Sequence, residues 1–121
     1  MGNFKDLRVW QDAMELVVDI YQICRTDAFA RDYGLRDQLQ RSAVSIPSNI
    51  AEGDERGTNK ESIRFFNIAK GSVAETITQL LIAYRVGYLD EKELHQLEEK
   101  AEKIRASLKN LIKARKNTSY R

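Results

Sequence analysis

The stretch TNKESIRFFNIAKGSVAETITQLLIAYRVG, residues 58–87, decides the fold. Thr58 and Glu61 are spaced as a capping box, in which each side chain bonds the other's backbone N–H. Gly87 is a natural left-handed terminator, so the spacing predicts a helix from Thr58 to about Val86. On a helical wheel Ile63, Phe66, Val73, Ile77, Leu80, Leu81 and Tyr84 form one apolar stripe. Phe65, Ile68, Ile82, Ala83 and Val86 lie on another side, with Ser72, Thr76 and Gln79 among them. One stripe suffices to close a small bundle, and the second must be covered by something else. Either this helix is central and touches every other helix, or it forms a subunit interface through Phe65, Ile68, Gly71, Ser72 and Ile82. A mid-helix Gly71 costs about 1 kcal/mol relative to Ala. With Ser72 and Ala74 it makes a small patch that lets another helix approach closely.

Helices follow on both sides of this one. Asp90 and Glu93 repeat the capping pattern, and Leu94, Leu97, Ala101, Ile104, Leu108 and Leu111 recur at the three–four spacing of a bundle seam, giving a helix over about 90–115. Upstream, Asp32 is placed to cap a helix over about 35–52 with a core stripe of Leu35, Leu39, Ser42, Ala43, Ile46 and Ile50. Pro47 lies inside it and removes one backbone donor; the expectation is a kink, or two short helices broken near Ser45. The first helix is expected over about 6–26, with Asn3 as a possible cap. Its apolar positions are Trp10, Met14, Val17, Tyr21 and Cys24, flanked by Leu7, Ala13 and Ile20. Residues 27–34 read as a connector, residues 53–57 as a turn, and residues 117–121 as a fraying tail. No strand-like alternation competes. The reading is all-α: an antiparallel up-down-up-down four-helix bundle, kinked at Pro47 and formed as a single domain by residues 1–121.

The chain has 121 residues, a length typical of one domain, and 42% of them are hydrophobic. No apolar run approaches a membrane span, and residues 1–6 hold neither a signal-peptide core nor, with Asp6, a myristoylation pattern, so a cytoplasmic protein without membrane association is expected. A lone Cys24 excludes an internal disulfide framework and a thiolate zinc cluster, and a lone His95 excludes paired-imidazole sites. Cys24 reads as a buried small hydrophobe and His95 as solvent-facing, and the Glu-x-x-His motif of di-iron bundles is absent. Neither an enzyme, a metal nor a cofactor is expected.

Two polar features go beyond a plain bundle. On the second helix Gln38, Arg41, Ser45, Asn49 and Glu52 share a narrow arc. Small hydroxyl and amide groups beside one Arg and one Glu look like a hydrogen-bond network within or between subunits, with a ligand or nucleic-acid contact, or an ordinary surface, as the rival readings. A buried Arg41 would need a carboxylate such as Glu52 or Glu75. The second feature is charge. Lys and Arg total 20 against 18 Asp and Glu, so net charge alone announces no nucleic-acid binder. Distribution says more: Asp90–Glu102 holds six acids, whereas Lys103–Arg121 holds seven bases and no acid. Such an arrangement complements the helix dipole, but the number of bases exceeds what a dipole requires and suits phosphates. The candidates are Lys109, Lys113, Arg115 and Lys116, together with Arg56, Lys60 and Arg64 around the turn, where a plain solvated loop is the alternative.

The run Ser45-Ile46-Pro47-Ser48-Asn49-Ile50-Ala51-Glu52-Gly53, within Tyr33–Gly53, strongly resembles the signature of the 23S ribosomal RNA intervening-sequence proteins. Phe4–Ala13, Phe65, Gly71–Glu75 and Gly87–Leu89 resemble further landmarks of that family, and the likeness spans about residues 4–112. The connector Phe29–Asp32 departs from the family by lacking its usual Pro and Glu. The resemblance implies a cytoplasmic, antiparallel four-helix protein that assembles into a homo-oligomeric ring, typically a pentamer. It marks Arg41, Ser45, Pro47, Asn49, Glu52, Gly53, Gly71, Ser72 and Glu75. A related branch, the accessory variability determinants of diversity-generating retroelements, binds nucleic acid and works with a reverse transcriptase. The family name records gene location rather than a ribosomal role. Residues and resemblance together lead to a non-enzymatic, self-assembling bundle whose partners are itself and RNA or DNA. A protein–protein scaffold without nucleic acid is the alternative.

Overall fold

The computed structural model describes residues 3–118, and these are helical throughout, with no strand. Five α-helices follow a single 3-10 turn at Phe4–Asp6: α1 (Arg8–Ile23), α2 (Asp27–Arg31), α3 (Tyr33–Asp54), α4 (Asn59–Arg85) and α5 (Glu91–Lys116). Each of the four long helices packs against two others, α1 on α3 and α5, α4 on α3 and α5. Side-chain bonds between α3 and α4 run in opposite order, from Ser42–Thr76 through Ser45–Ser72 to Gly53–Ser62, so this pair is antiparallel. No described helix is long and apolar enough to cross a membrane.

Capping places the ends. Asp32 accepts from the Leu35 N–H and opens α3. Asp90 and Glu93 form both bonds of a capping box at α5. At α4 only half of the expected box forms: Thr58 Oγ1 accepts from the Glu61 N–H at 3.2 Å, while the Glu61 carboxylate reaches Arg64 instead. Gly87, at φ +91°, closes α4 in a Schellman turn, with Tyr88 N–H bonded to Ala83 O and Gly87 N–H to Tyr84 O.

Several expectations need correction. The connector 27–34 contains α2, a short helix whose Phe29 is buried and stacked on Tyr88 at 5.0 Å. The Tyr88 hydroxyl then donates to Asp32. Asn3 caps the 3-10 turn, and α1 begins only at Arg8. The core stripe of α1 is rotated relative to the expected one: Val9, Ala13, Leu16 and Ile20 are buried, whereas Met14 and Tyr21 are exposed. Around Pro47, α3 stays one continuous helix and is not split near Ser45. The last seam position of α5 is Ile112, with Leu111 only half-buried. A straight helix drifts by about 20° per heptad, and over three heptads that drift moves the buried position along by one residue. Of residues 117–121, expected to fray, Thr118 is held by Asn59, and residues 119–121 lie outside the described residues.

Candidate nucleic-acid interface

Three contacts bring the two basic groups, some fifty residues apart in the chain, to one end of the molecule. Asn59 Nδ2 donates to Thr118 O at 2.9 Å and to Thr118 Oγ1 at 2.7 Å. Arg115 reaches Asp54 at 3.5 Å, and its guanidinium lies 5.3 Å from the Phe66 ring centroid. Here the start of α4 and the end of α5 are tied together, with the α3–α4 turn beside them.

The seven candidate cations then divide. Lys60, Lys109, Lys113 and Lys116 are exposed, and among the described residues no carboxylate lies within salt-bridge distance of them. Lys109, Lys113 and Lys116 share one face of α5 at i, i+4, i+7, spread over about 10 Å of helix. The three arginines are engaged. Arg56 pairs with Glu52 at 2.8 Å and Arg64 with Glu61 at 3.6 Å. Both guanidiniums lie over the Phe65 ring, each 4.5 Å from its centroid. Arg115 is a half-buried tie to a nearly buried Asp54, which corrects its reading as a free phosphate-binding cation. Upstream on α5, Arg105 is taken by Glu102 and Lys103 by Asp12.

The polar stripe of α3 splits in the same way. Ser45 and Asn49 do belong to a network: Ser72 Oγ donates to Ser45 Oγ at 2.8 Å, and Asn49 Nδ2 donates to Ser45 Oγ at 2.9 Å. Ser42, Thr76 and Gln79 extend it, with Ser42 Oγ 2.9 Å from Thr76 Oγ1 and donating to Gln79 Oε1 at 2.7 Å. The sequence pattern puts Ser42 in the core stripe of its helix and Thr76 on the second side of α4; only the register between the helices shows that they face each other. Arg41 is exposed, so the condition under which it would need Glu52 or Glu75 is not met. Glu52 is claimed by Arg56. Gln38, Arg41, Ser45, Glu75 and Gln79 instead line a groove between α3 and α4, in which Arg41 and Glu75 form no ion pair.

Of the interface candidates, Ile68 and Ile82 are exposed, at 41% and 45%. Gly71 is exposed too, and a Cβ there would meet nothing within 4 Å of its own chain. Ser72 is a correction: it is buried against α3. Phe65 is half-covered by its two arginines. Leu81, placed in the core stripe, is exposed. The exposed Val18 and Val44 were missed; only knowledge of which face of α1 is buried would have singled them out.

Cys24 is buried, and desolvation pushes its thiol up to about 11. His95 stands in solvent 3.8 Å from Glu99. Among the described residues no group of three His, Cys, Asp or Glu side chains could hold a metal ion.

Fold and surface define an all-helical protein with a hydroxyl-lined α3–α4 seam and a lysine-rich end. The chain belongs to the 23S rRNA-intervening sequence proteins, whose family model matches residues 5–110. Among solved structures it is similar to a protein of unknown function from the S23 ribosomal protein family of Bacteroides thetaiotaomicron VPI-5482. That likeness has a TM-score of 0.80 at 24% identity, over 87% of this chain and 98% of the other, and it concerns the fold. No curated protein matches the sequence.

Proposed function

We propose that the four long helices form an antiparallel up-down-up-down bundle, that copies of it assemble into a closed ring, and that each copy offers its lysine-rich end to RNA or DNA without catalysing a reaction. One observation carries the nucleic-acid reading. Among the described residues no carboxylate pairs with Lys109, Lys113 or Lys116, which stand on a single face of α5, with exposed Lys60 across the Asn59–Thr118 tie. A ring would repeat that face, and each neutralised phosphate releases counterions. Against catalysis stand a buried, hard-to-ionise Cys24 and a solvated His95, with no nucleophile–base pair between them.

A second reading, a protein scaffold whose basic end only complements the helix dipole, is favoured by Arg56, Arg64 and Arg115, each of which already holds a carboxylate. Fluorescence-anisotropy titration of structured RNA and duplex DNA at several salt concentrations separates the two. The nucleic-acid reading predicts binding at low salt that weakens steeply as salt rises. Replacing Lys109, Lys113 and Lys116 with Glu then abolishes it or lowers the salt slope by about one per lost phosphate contact. Binding that ignores salt, or that survives the replacement, leaves the scaffold.

A further inference from the structure

Phe65 holds two arginines at once. The guanidiniums of Arg56, from the turn between α3 and α4, and of Arg64, from α4, both lie over its ring, each 4.5 Å from the centroid. Two cations drawn to one ring repel each other, and each is balanced by its own carboxylate: Arg56 by Glu52 at 2.8 Å and Arg64 by Glu61 at 3.6 Å. Ring and carboxylate together fix where each planar group stands. Both arginine side chains nevertheless stay open to solvent, Arg56 at 40% and Arg64 at 58% exposure, and Phe65 is only half-buried.

Because both charges are answered within the chain, attraction for phosphate is not the main thing these arginines add. They keep flat, weakly hydrated surface beside an aromatic ring, and guanidinium planes and phenyl rings are the surfaces on which a splayed-out nucleobase stacks. The planes are already held, so little side-chain freedom is lost when a base arrives. Lys60 lies one helical turn before Arg64 on the same face of α4, and it is exposed. Among the described residues no carboxylate pairs with it, which leaves its ammonium for a phosphate of the same strand. A duplex hides its base faces in its own stack, whereas a single strand or a loop presents them. We infer that this end of the molecule selects unpaired nucleotides, a base stacking on the Arg56–Phe65–Arg64 cluster while Lys60 meets the backbone. The inference rests on the nucleic-acid reading proposed above and names the form of nucleic acid it takes.

The test separates bases from phosphates. Anisotropy titrations at low salt compare an unstructured single strand, made as DNA and as RNA, with its blunt duplex and with an abasic DNA strand of equal length. The full chain is expected to bind the single strand about ten-fold more tightly than the abasic strand. It also prefers the single strand to the duplex, although the duplex carries twice the phosphate and would win on charge alone. DNA and RNA strands bind alike, because stacking does not read the sugar. Exchanging Arg56→Lys together with Arg64→Lys keeps both positive charges and removes both planes. Single-strand affinity then falls to the abasic level, while abasic binding and the salt slope stay as they were; circular dichroism checks that the variant remains helical. An abasic strand or a duplex bound as tightly as the single strand, a marked difference between DNA and RNA, or a preference that survives the double exchange overturns the stacking cluster and leaves the lysine reading standing. If no probe binds at low salt, both fall.

Discussion

Two glycines show how much a single position can carry. A Cβ at Gly53 would lie 2.6 and 2.8 Å from ring carbons of the fully buried Phe66 and 3.1 Å from the Ser62 carbonyl oxygen. The same Ser62 donates its hydroxyl to Gly53 O at 2.7 Å, so α3 and α4 touch backbone to side chain here. Gly53→Ala gains helix propensity of about 1 kcal/mol but overpacks a site that cannot yield, and the net expectation is a loss of about 1–2 kcal/mol. Gly71→Ala meets open space within its own chain and is expected to gain up to about 1 kcal/mol. Urea unfolding of both variants checks the opposite signs. The sequence marks both positions as glycine in or at the end of a helix. Which of them faces a phenyl ring depends on how two helices meet, which no local pattern records.

Between elements, polar side chains decide register. The α3–α4 seam is closed by hydroxyls rather than by apolar groups alone: Ser42 and Thr76 bond each other while both are buried. A double-mutant cycle with Ser42→Ala and Thr76→Val is expected to show a coupling of about 0.5–1.5 kcal/mol in urea unfolding. No coupling would mean that the pair is incidental. The α1–α5 seam is ionic. Lys100 Nζ lies 2.8 Å from Glu15 and 2.5 Å from Asp19. The hydrogen bond from Lys100 holds the Glu15 carboxyl below its ordinary 4.5, and the bonds to Asp19 and Glu15 raise the Lys100 ammonium above its ordinary 10.5. A depressed carboxyl contributes stability above pH 4.5, lost as pH falls through its folded value. A raised ammonium contributes stability below pH 10.5, lost as pH rises through its own. Lys100→Met is therefore expected to lower stability by a small amount that is constant near neutrality and vanishes in acid below pH 4.5. It is small because Glu15 is solvated. Thermal unfolding of both proteins from pH 3 to pH 8 checks the window. Helices, most caps and the core of α3 were legible, since caps and periodicity are local. The α1 stripe was misjudged because Trp10, Met14, Val17 and Tyr21 outweigh Val9, Ala13 and Leu16 in bulk, and only packing shows that the smaller set faces inward.

Across the whole molecule, the lysine cluster and the apolar exposure lie apart. Lys109, Lys113 and Lys116 sit at the end where α5 finishes; among the described residues, exposed large apolar groups lie along α1, α3 and α4. The sequence shows the basic run of α5 and the basic turn separately. Their meeting follows from the antiparallel return of the chain, and the commitment of Arg56, Arg64 and Arg115 to carboxylates follows only from three-dimensional proximity. A surplus of apolar positions on α4 was also legible, although part of that side is satisfied internally: Ala83 faces the core, as do the polar Ser72 and Thr76. What remains outside, Ile68, Ile82 and Val86, is what a second copy would cover. Sedimentation velocity of the protein with a structured RNA, at low and at high salt, tests assembly and binding in one run. Several chains moving with the RNA at low salt, and an RNA-free assembly of several chains at high salt, is the predicted result. A 14.0 kDa single chain that leaves the RNA boundary unchanged at every salt concentration would contradict it.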